Sequence, residues 1–380
     1  MTQYSPDRPS LEVHVTIIVP VFNTGPELIR RAVVSALNQT HADLELLIVD
    51  DGSSPDVASF LDTIAERDFR IRVLHTANGG VSSARNIGVE NARGQFIAYL
   101  DADDYLEPQF LSSALYAARI TGADAVFGGI RILHERGAVD WRAGGPPASA
   151  PLIGTPEIII NACTSALSDS PSPHYSTQVL SVTNVVSALY RKDTAEGHRF
   201  REGMTHAEDR LYNLSLILAS SRTAFCSDVW YVYDQTHGQG VTSRATPQMV
   251  RALARTVREF ADVSRAFQSR FDLTDDARNQ ISQAAADGVL NYLKVLTGVT
   301  AVVGNESTNH AVLRALLNEQ PVRIAVASAA QTTWKNRIFA AAANHGNLRV
   351  LNLLGRLWVR GGGLGISSAS SVAQSVEGKS

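Results

Sequence analysis

The chain is poor in the features that mark several protein classes. It has two cysteines in 380 residues, Cys163 and Cys226. That is too few for a disulfide framework and points to a reducing compartment. No uninterrupted apolar run is long enough to span a bilayer. The first residues carry Asp7 and Arg8 and lack an apolar core, so they do not read as a signal peptide. The formal charge is only -3, which argues against a whole-chain nucleic-acid binder. No GxGxxG follows the first apolar run, which removes the dinucleotide-binding dehydrogenases. Repeats are missing, and the one low-complexity tract is a Gly/Ser-rich tail after Gly361. Acids are absent from Gln320 to Val376, a stretch that holds Arg323, Lys335, Arg337, Arg349, Arg356 and Arg360.

What is present is 44% hydrophobic residue content, enough to bury a sizeable core, in a chain long enough for two or three domains. Val13–Val21 is β-branched and reads as a buried strand, with Pro20 near its end where a missing donor is tolerated. A turn at 22–26 leads into helical periodicity from Glu27 to Asn38. Leu44–Val49 and Ile71–Leu74 read as strands, and Pro55 opens a helix that Ser53 or Ser54 can cap. Phe96–Leu100 is a fourth strand, Leu111–Ile120 a helix and Asp124–Leu133 a fifth strand. This alternation predicts a doubly wound, mostly parallel α/β sheet. Residues 143–156 and 168–178 read as loops, the second a candidate lid. Short strands are expected at Val185–Tyr190 and Ala224–Tyr233, with an apolar helix ending at Ala219 between them. After Pro247 long helical patterns take over, at 248–268, 275–297 and 309–317.

The chemistry-bearing residues cluster at the carboxyl ends of the predicted strands, where ligands bind in open α/β sheets. The second strand runs into Asp50-Asp51-Gly52-Ser53-Ser54, and the fourth into Asp101-Ala102-Asp103-Asp104. In extended backbone, residues two apart share a face, so Asp101 and Asp103 are expected to meet one ligand while Asp104 points elsewhere. Two hard oxygen ligands suit Mg²⁺ or Mn²⁺. These acids suit equally the cap of the helix that Pro108 announces. Asn78-Gly79-Gly80 before a helix offers backbone donors to an anion, and Arg85 on its first turns is in reach of a phosphate. The same residues also make an ordinary turn with a surface arginine. Glu208 and Asp209 open a helix, which its dipole favours. His237 lies in a polar loop where solvation is its ordinary fate.

Taken in order, five segments carry a resemblance: Ile17–Asn23, Val49–Ser53, Gly79–Asn86, Leu100–Leu106 and Ala207–Asp209. They resemble the family 2 glycosyltransferases of the GT-A fold, of the bacterial surface-glycan type, over residues 13 to 245. The resemblance implies a metal-dependent, inverting transfer from a nucleotide-sugar, with a UDP-sugar expected, to a hydroxyl of a glycan or lipid-linked acceptor. It implies that Pro20, Val21, Phe22 and Asn23 cradle the base and that Asp51 reads an imide N–H of uracil. Gly80, Arg85, Asp101 and Ala102 would face the diphosphate and sugar. Asp101 and Asp103 would form a DxD motif holding manganese or magnesium, with His237 as an additional ligand. Asp209 would be the general base, with Glu208 beside it. A nucleotidyltransferase would instead show a glycine- and lysine-rich loop after the first strand, and Asn23-Thr24-Gly25-Pro26 has no lysine. A non-catalytic nucleotide-sugar-binding protein is the third reading, which loss of Asp103 or Asp209 would have favoured.

The expected layout is a flexible 1–12, a glycosyltransferase domain at 13–245, a helical domain at 246–360 and a flexible tail at 361–380. A cytoplasmic protein at the inner face of the membrane is expected. Leu348, Leu351, Leu354 and Trp358 recur at helical steps flanked by Arg349, Arg356 and Arg360. That stripe fits an anionic membrane surface, packing on neighbouring helices, or a homo-oligomer contact.

Overall fold

The computed structural model describes residues 15–134, 137–141, 147–155, 158–159, 162–164, 166, 182–204, 207–219, 222–236, 247–270, 274–303, 306–329 and 334–360. Val13, the candidate lid at 168–178 and His237 fall outside them.

Four strands build the first half of the sheet: β1 (Val15–Val21), β2 (Leu44–Asp50), β3 (Ile71–His75) and β4 (Phe96–Tyr99). They pair in parallel in the order β3-β2-β1-β4. β1 and β2 are buried along almost their whole length. This is what a strand covered by helices on both faces requires, and it explains their unbroken apolar sequence. The crossovers are α1 (Pro26–Leu37), α2 (Pro55–Ala65) and α3 (Val81–Asn91). Proline begins α1 and α2, where its fixed φ and missing N–H cost nothing. Ser54 occupies the N-cap of α2, yet its side chain makes no capping bond.

Beyond β4 the sheet departs from simple alternation. After the two-residue β5 (Tyr105–Leu106) and α4 (Phe110–Thr121) comes β6 (Ala125–His134), which does not pair with β4. A later strand, β9 (Ala188–Arg191), lies antiparallel between them. β10 (Thr223–Asp234) then runs parallel to β6. Two small strands differ from expectation: β7 (Gly137–Trp141) forms a hairpin with β6, and β8 (Leu152–Ile153) pairs with β10 inside the stretch expected to be a loop. The Gly/Pro/Ala composition there hides a two-residue strand whose pairing is entirely long-range. The remaining helices are α5 (Lys192–Glu196), α6 (Glu208–Ala219), α7 (Pro247–Arg270), α8 (Asp275–Val303), α9 (Glu306–Asn318), α10 (Gln320–Ala329), α11 (Trp334–Asn344) and α12 (Leu348–Arg360).

The helices from α7 onward gather around α8, whose Val289, Leu290, Leu293 and Leu296 are buried. α12 packs on α8. Leu348 and Leu351 are buried and Leu354 rests against the core, so these three form packing surface rather than an outward stripe. Among the described residues no helix is long and apolar enough to cross a membrane.

One close contact locks β6 to β10. Gly128 lies under Trp230, and a Cβ added there would sit 2.2 Å from the indole ring. Trp230 is fully buried and stacks on Phe110 with ring centroids 5.2 Å apart. We expect Gly128→Ala to destabilise the fold by about 1–3 kcal/mol through overpacking, read as a lower midpoint in urea unfolding.

Candidate active site

The loops after β1 and β2 are stitched together. Asn23 stands in the left-handed region at φ 51°, which its short polar side chain tolerates. Its N–H donates to Ser53 Oγ at 3.0 Å, and its Oδ1 accepts the Ser54 N–H at 2.8 Å. Phe22 beside it is 52% exposed, so an aromatic face is open at the end of a buried strand. The Asp51 carboxylate is buried and accepts the N–H groups of Gly79 at 2.7 Å and Gly80 at 2.8 Å. The Asn78 side-chain amide donates to it at 3.2 Å. Asp51 therefore shapes the glycine turn that precedes α3. Gly52 at φ 76° passes so close that a Cβ would lie 2.8 Å from the Asn78 nitrogen.

The acids after β4 are not an extended segment. The Asp104 N–H donates to the Asp101 carbonyl at 3.1 Å, closing a turn, so the expectation drawn from strand alternation is corrected. Asp104 is engaged by β10. It is buried, bonded by the Tyr231 hydroxyl and by the Asp234 N–H at 2.9 Å. Burial, with the negative charge of Asp101 added, pushes its carboxyl up to about 8. Tyr231 also receives the Asp101 N–H at 3.3 Å. Arg31 of α1 donates to the Asp103 carbonyl oxygen and pairs with Asp234. Its guanidinium lies over the Tyr105 ring, 5.1 Å from the centroid. The turn is thus held from behind by β10 and α1.

On the other side of Arg85, α6 begins with Glu208 and Asp209. A block of aromatic rings fixes this helix against β4 and β9. Phe200 stacks on Tyr212 at 4.0 Å, Tyr99 meets both edge-on, and the Tyr190 hydroxyl donates to Asn213 Oδ1 at 2.7 Å. Arg85, 3% exposed, lies over Phe200 and joins the two acidic elements. One terminal nitrogen meets Asp209 at 2.5 Å and the other meets Asp101 at 2.9 Å. Desolvation opposes a buried cation, but Asp209 and Asp101 outweigh it and hold the guanidinium charged. Burial raises the Asp209 carboxyl, and Arg85 opposes that rise. Glu208 is pushed up to about 7 by burial and by Asp209.

Residues 16–165 match the family model for glycosyl transferase family 2. This domain is a family 2 glycosyltransferase domain. A Bacillus subtilis protein, described as the uncharacterized glycosyltransferase EpsJ, is 32% identical over 58% of this chain. The glycosyltransferase GlyG of Streptococcus pneumoniae is 34% identical over 30% of it. The matches span 60% and 38% of those relatives' own lengths. The crystal structure of S. aureus TarS 1–349 shares the fold, with a TM-score of 0.61 and 92% of each chain covered at 18% identity. A second TarS structure, in complex with UDP-GlcNAc, superposes with a TM-score of 0.63.

The residues singled out from sequence fall into two bonded groups: Asn23 joins the Ser53–Ser54 turn and Asp51 joins Gly79 and Gly80, while Arg85 joins Asp101 to Asp209; His237 lies outside the described residues. Arg85 is a buried bridge between carboxylates, where the sequence offered a surface arginine or a phosphate contact. Arg31, Asp234 and Tyr231 were not foreseen, because their partners are distant in sequence. Ala207, at φ 64°, gave no sign either; a strained backbone directly before Glu208 aims the first turn of α6. The donor set of the acidic turn fits a hard divalent cation. The Asp103 carboxyl is raised by burial and by the neighbouring Asp101 charge, a repulsion that a cation relieves. Among the described residues no three His, Cys, Asp or Glu side chains form a metal cage, so phosphate oxygens and water would complete the shell.

Below the loops after β1 and β2, His75 bridges two acids. Its Nδ1 meets Asp50 at 2.7 Å and its Nε2 meets Asp62 at 3.1 Å. These bonds raise the imidazole above its ordinary value. Burial pushes Asp50 up, but Ser53 and His75 outweigh it and leave that carboxyl lowered. A raised histidine stabilises the fold fully below its unfolded value of about 6.5 and loses that contribution as pH rises through the folded value. The melting-temperature gap between wild type and His75→Gln should therefore be widest below about pH 6.5 and narrow above it. A thermal-unfolding series across pH reads this directly.

Proposed function

We propose that this chain is an inverting glycosyltransferase that moves a sugar from a UDP-sugar to a hydroxyl of a glycan or lipid-linked acceptor. The observation that carries the reading is Arg85 holding Asp101 and Asp209 on its two ends. A donor-side acid and a base-side acid then face one cleft at fixed separation. The fold shared with TarS in complex with UDP-GlcNAc supports the choice of a UDP-sugar. Residues 13–245 carry the transfer chemistry in this reading, and 246–360 form the helical part.

Phe22, with Pro20 and Val21 behind it and Asn23 beside it, offers a surface for the nucleobase. Asp51, its carboxylate taken up by the Gly79 and Gly80 N–H groups, orders that turn beside the base surface. Asp101 and Asp103 would hold a manganese or magnesium ion, and the Ala102 backbone between them would face the donor. When bound, the ion offsets the negative charge that grows on the leaving diphosphate. Asp209 keeps 19% of its side-chain exposure, so its carboxylate is reachable from the cleft. It accepts the proton of the acceptor hydroxyl as that oxygen bonds to the anomeric carbon and the bond to the diphosphate breaks. Burial makes Asp209 a stronger base, while Arg85 keeps it ionised and aims it. One base and no carboxylate nucleophile give a single displacement, with inversion.

Asp209→Asn keeps the shape but cannot take the proton, so turnover should fall by about a hundredfold or more with UDP binding retained. Near-normal turnover would transfer the role to Glu208. For the donor side, UDP titration by calorimetry with and without Mn²⁺ should show a metal-dependent gain in wild type that Asp103→Ala abolishes. Equal gains in both proteins would remove the metal from Asp103.

A further inference from the structure

The three last helices share a surface pattern that the transfer chemistry does not use. α10 exposes Ile324, 59% accessible, beside an exposed Arg323. α11 exposes Ile338 beside Arg337, and α12 exposes Val350 beside Arg349. α12 continues the pattern with Leu353 and Leu357, both more than half exposed. Val350, Leu353 and Leu357 follow at steps of three and four, so they form one stripe. This stripe is not the one that packs on α8, which is Leu348, Leu351 and Leu354. α12 is thus apolar on two faces, and only one is used by the fold. α10 and α12 both rest on α8, and α11 touches each of them. The whole stretch from Gln320 to Val376 is free of acids, in a chain whose overall charge is -3.

We infer that the outer faces of α10, α11 and α12 dock on an anionic lipid bilayer. Exposed aliphatic side chains enter the interface while neighbouring arginines meet lipid phosphates. A second copy of the chain fits this surface poorly. A two-fold contact sets a patch against itself, so arginines would meet arginines with no acid in the segment to pair them. The apolar part is also small: five part-exposed side chains, Ile324, Ile338, Val350, Leu353 and Leu357, fall below the roughly 800 Å² per partner of a stable interface. The contact is superficial, since no described helix is long and apolar enough to cross a membrane.

Flotation of the full chain with vesicles tests this without donor or acceptor, so its outcome is separate from that of the transferase reading. The protein should float with phosphatidylglycerol–phosphatidylcholine vesicles at about 0.1 M salt and stay behind with pure phosphatidylcholine. At about 1 M salt the bound fraction should drop about tenfold. Two variants separate the forces: Leu353→Ser with Leu357→Ser, and Arg323→Glu with Arg337→Glu and Arg349→Glu. All five positions are exposed, so both variants should keep the wild-type melting temperature, and each should lose about tenfold in lipid binding. Wild type that ignores anionic vesicles at low salt overturns the inference. So does a charge-reversed variant that binds like wild type. Light scattering that shows a dimer, broken by the two serines with lipid binding unchanged, assigns the face to a second copy and also overturns it.

Discussion

A buried guanidinium between two carboxylates is the constraint on which the cleft depends. Arg85 is inaccessible to solvent, and a cation in that position is tolerable only because Asp101 and Asp209 neutralise it. The two acids belong to elements more than a hundred residues apart. Removing Arg85 would leave the Asp209 carboxylate inside the protein without its counter-charge, which costs far more than a surface pair contributes. The same bridge sets the distance between the turn after β4 and the start of α6. Stability of the cleft and its geometry are therefore one property.

Around that bridge each acid has its own support. Asp51 is occupied by the glycine turn, Asp104 by Tyr231 and Asp234, and the Asp103 backbone by Arg31. The carboxylates of Asp103 and Glu208 carry raised values because burial and like charge act on them together. Such crowding of negative charge is costly, and carboxylates perturbed in this way gather at functional sites. The aromatic block under α6 supplies the rigid floor on which the arrangement rests. It is built from Tyr99, Tyr190, Phe200 and Tyr212, side chains that read in sequence as ordinary core.

The helical part contributes differently. Its core positions recur with helical period, and α8 is its centre. The stripe at Leu348, Leu351 and Leu354 reads equally well as a membrane face or a packing face, because periodicity records amphipathicity and not the identity of the neighbour. Packing on α8 decided the matter for these residues. It left Val350, Leu353 and Leu357 on the outside, which sequence periodicity alone does not distinguish.

The sequence by itself determined the parallel half of the sheet and the acids that end its strands. Buried parallel strands must be apolar throughout, and ligand-facing acids must follow their carboxyl ends, so Ile17–Val21, Leu46–Asp51 and Ile97–Asp101 are legible from local pattern. Only the tertiary structure decided the rest. β9 enters between β4 and β6 from about sixty residues downstream, and no local signal encodes a strand's neighbour. The acids after β4 close a turn where alternation suggested a strand, because Tyr231 and Asp234 supply bonds from β10. Arg85 became a bridge for the same reason: its fate was set by the two carboxylates that folding brought to it.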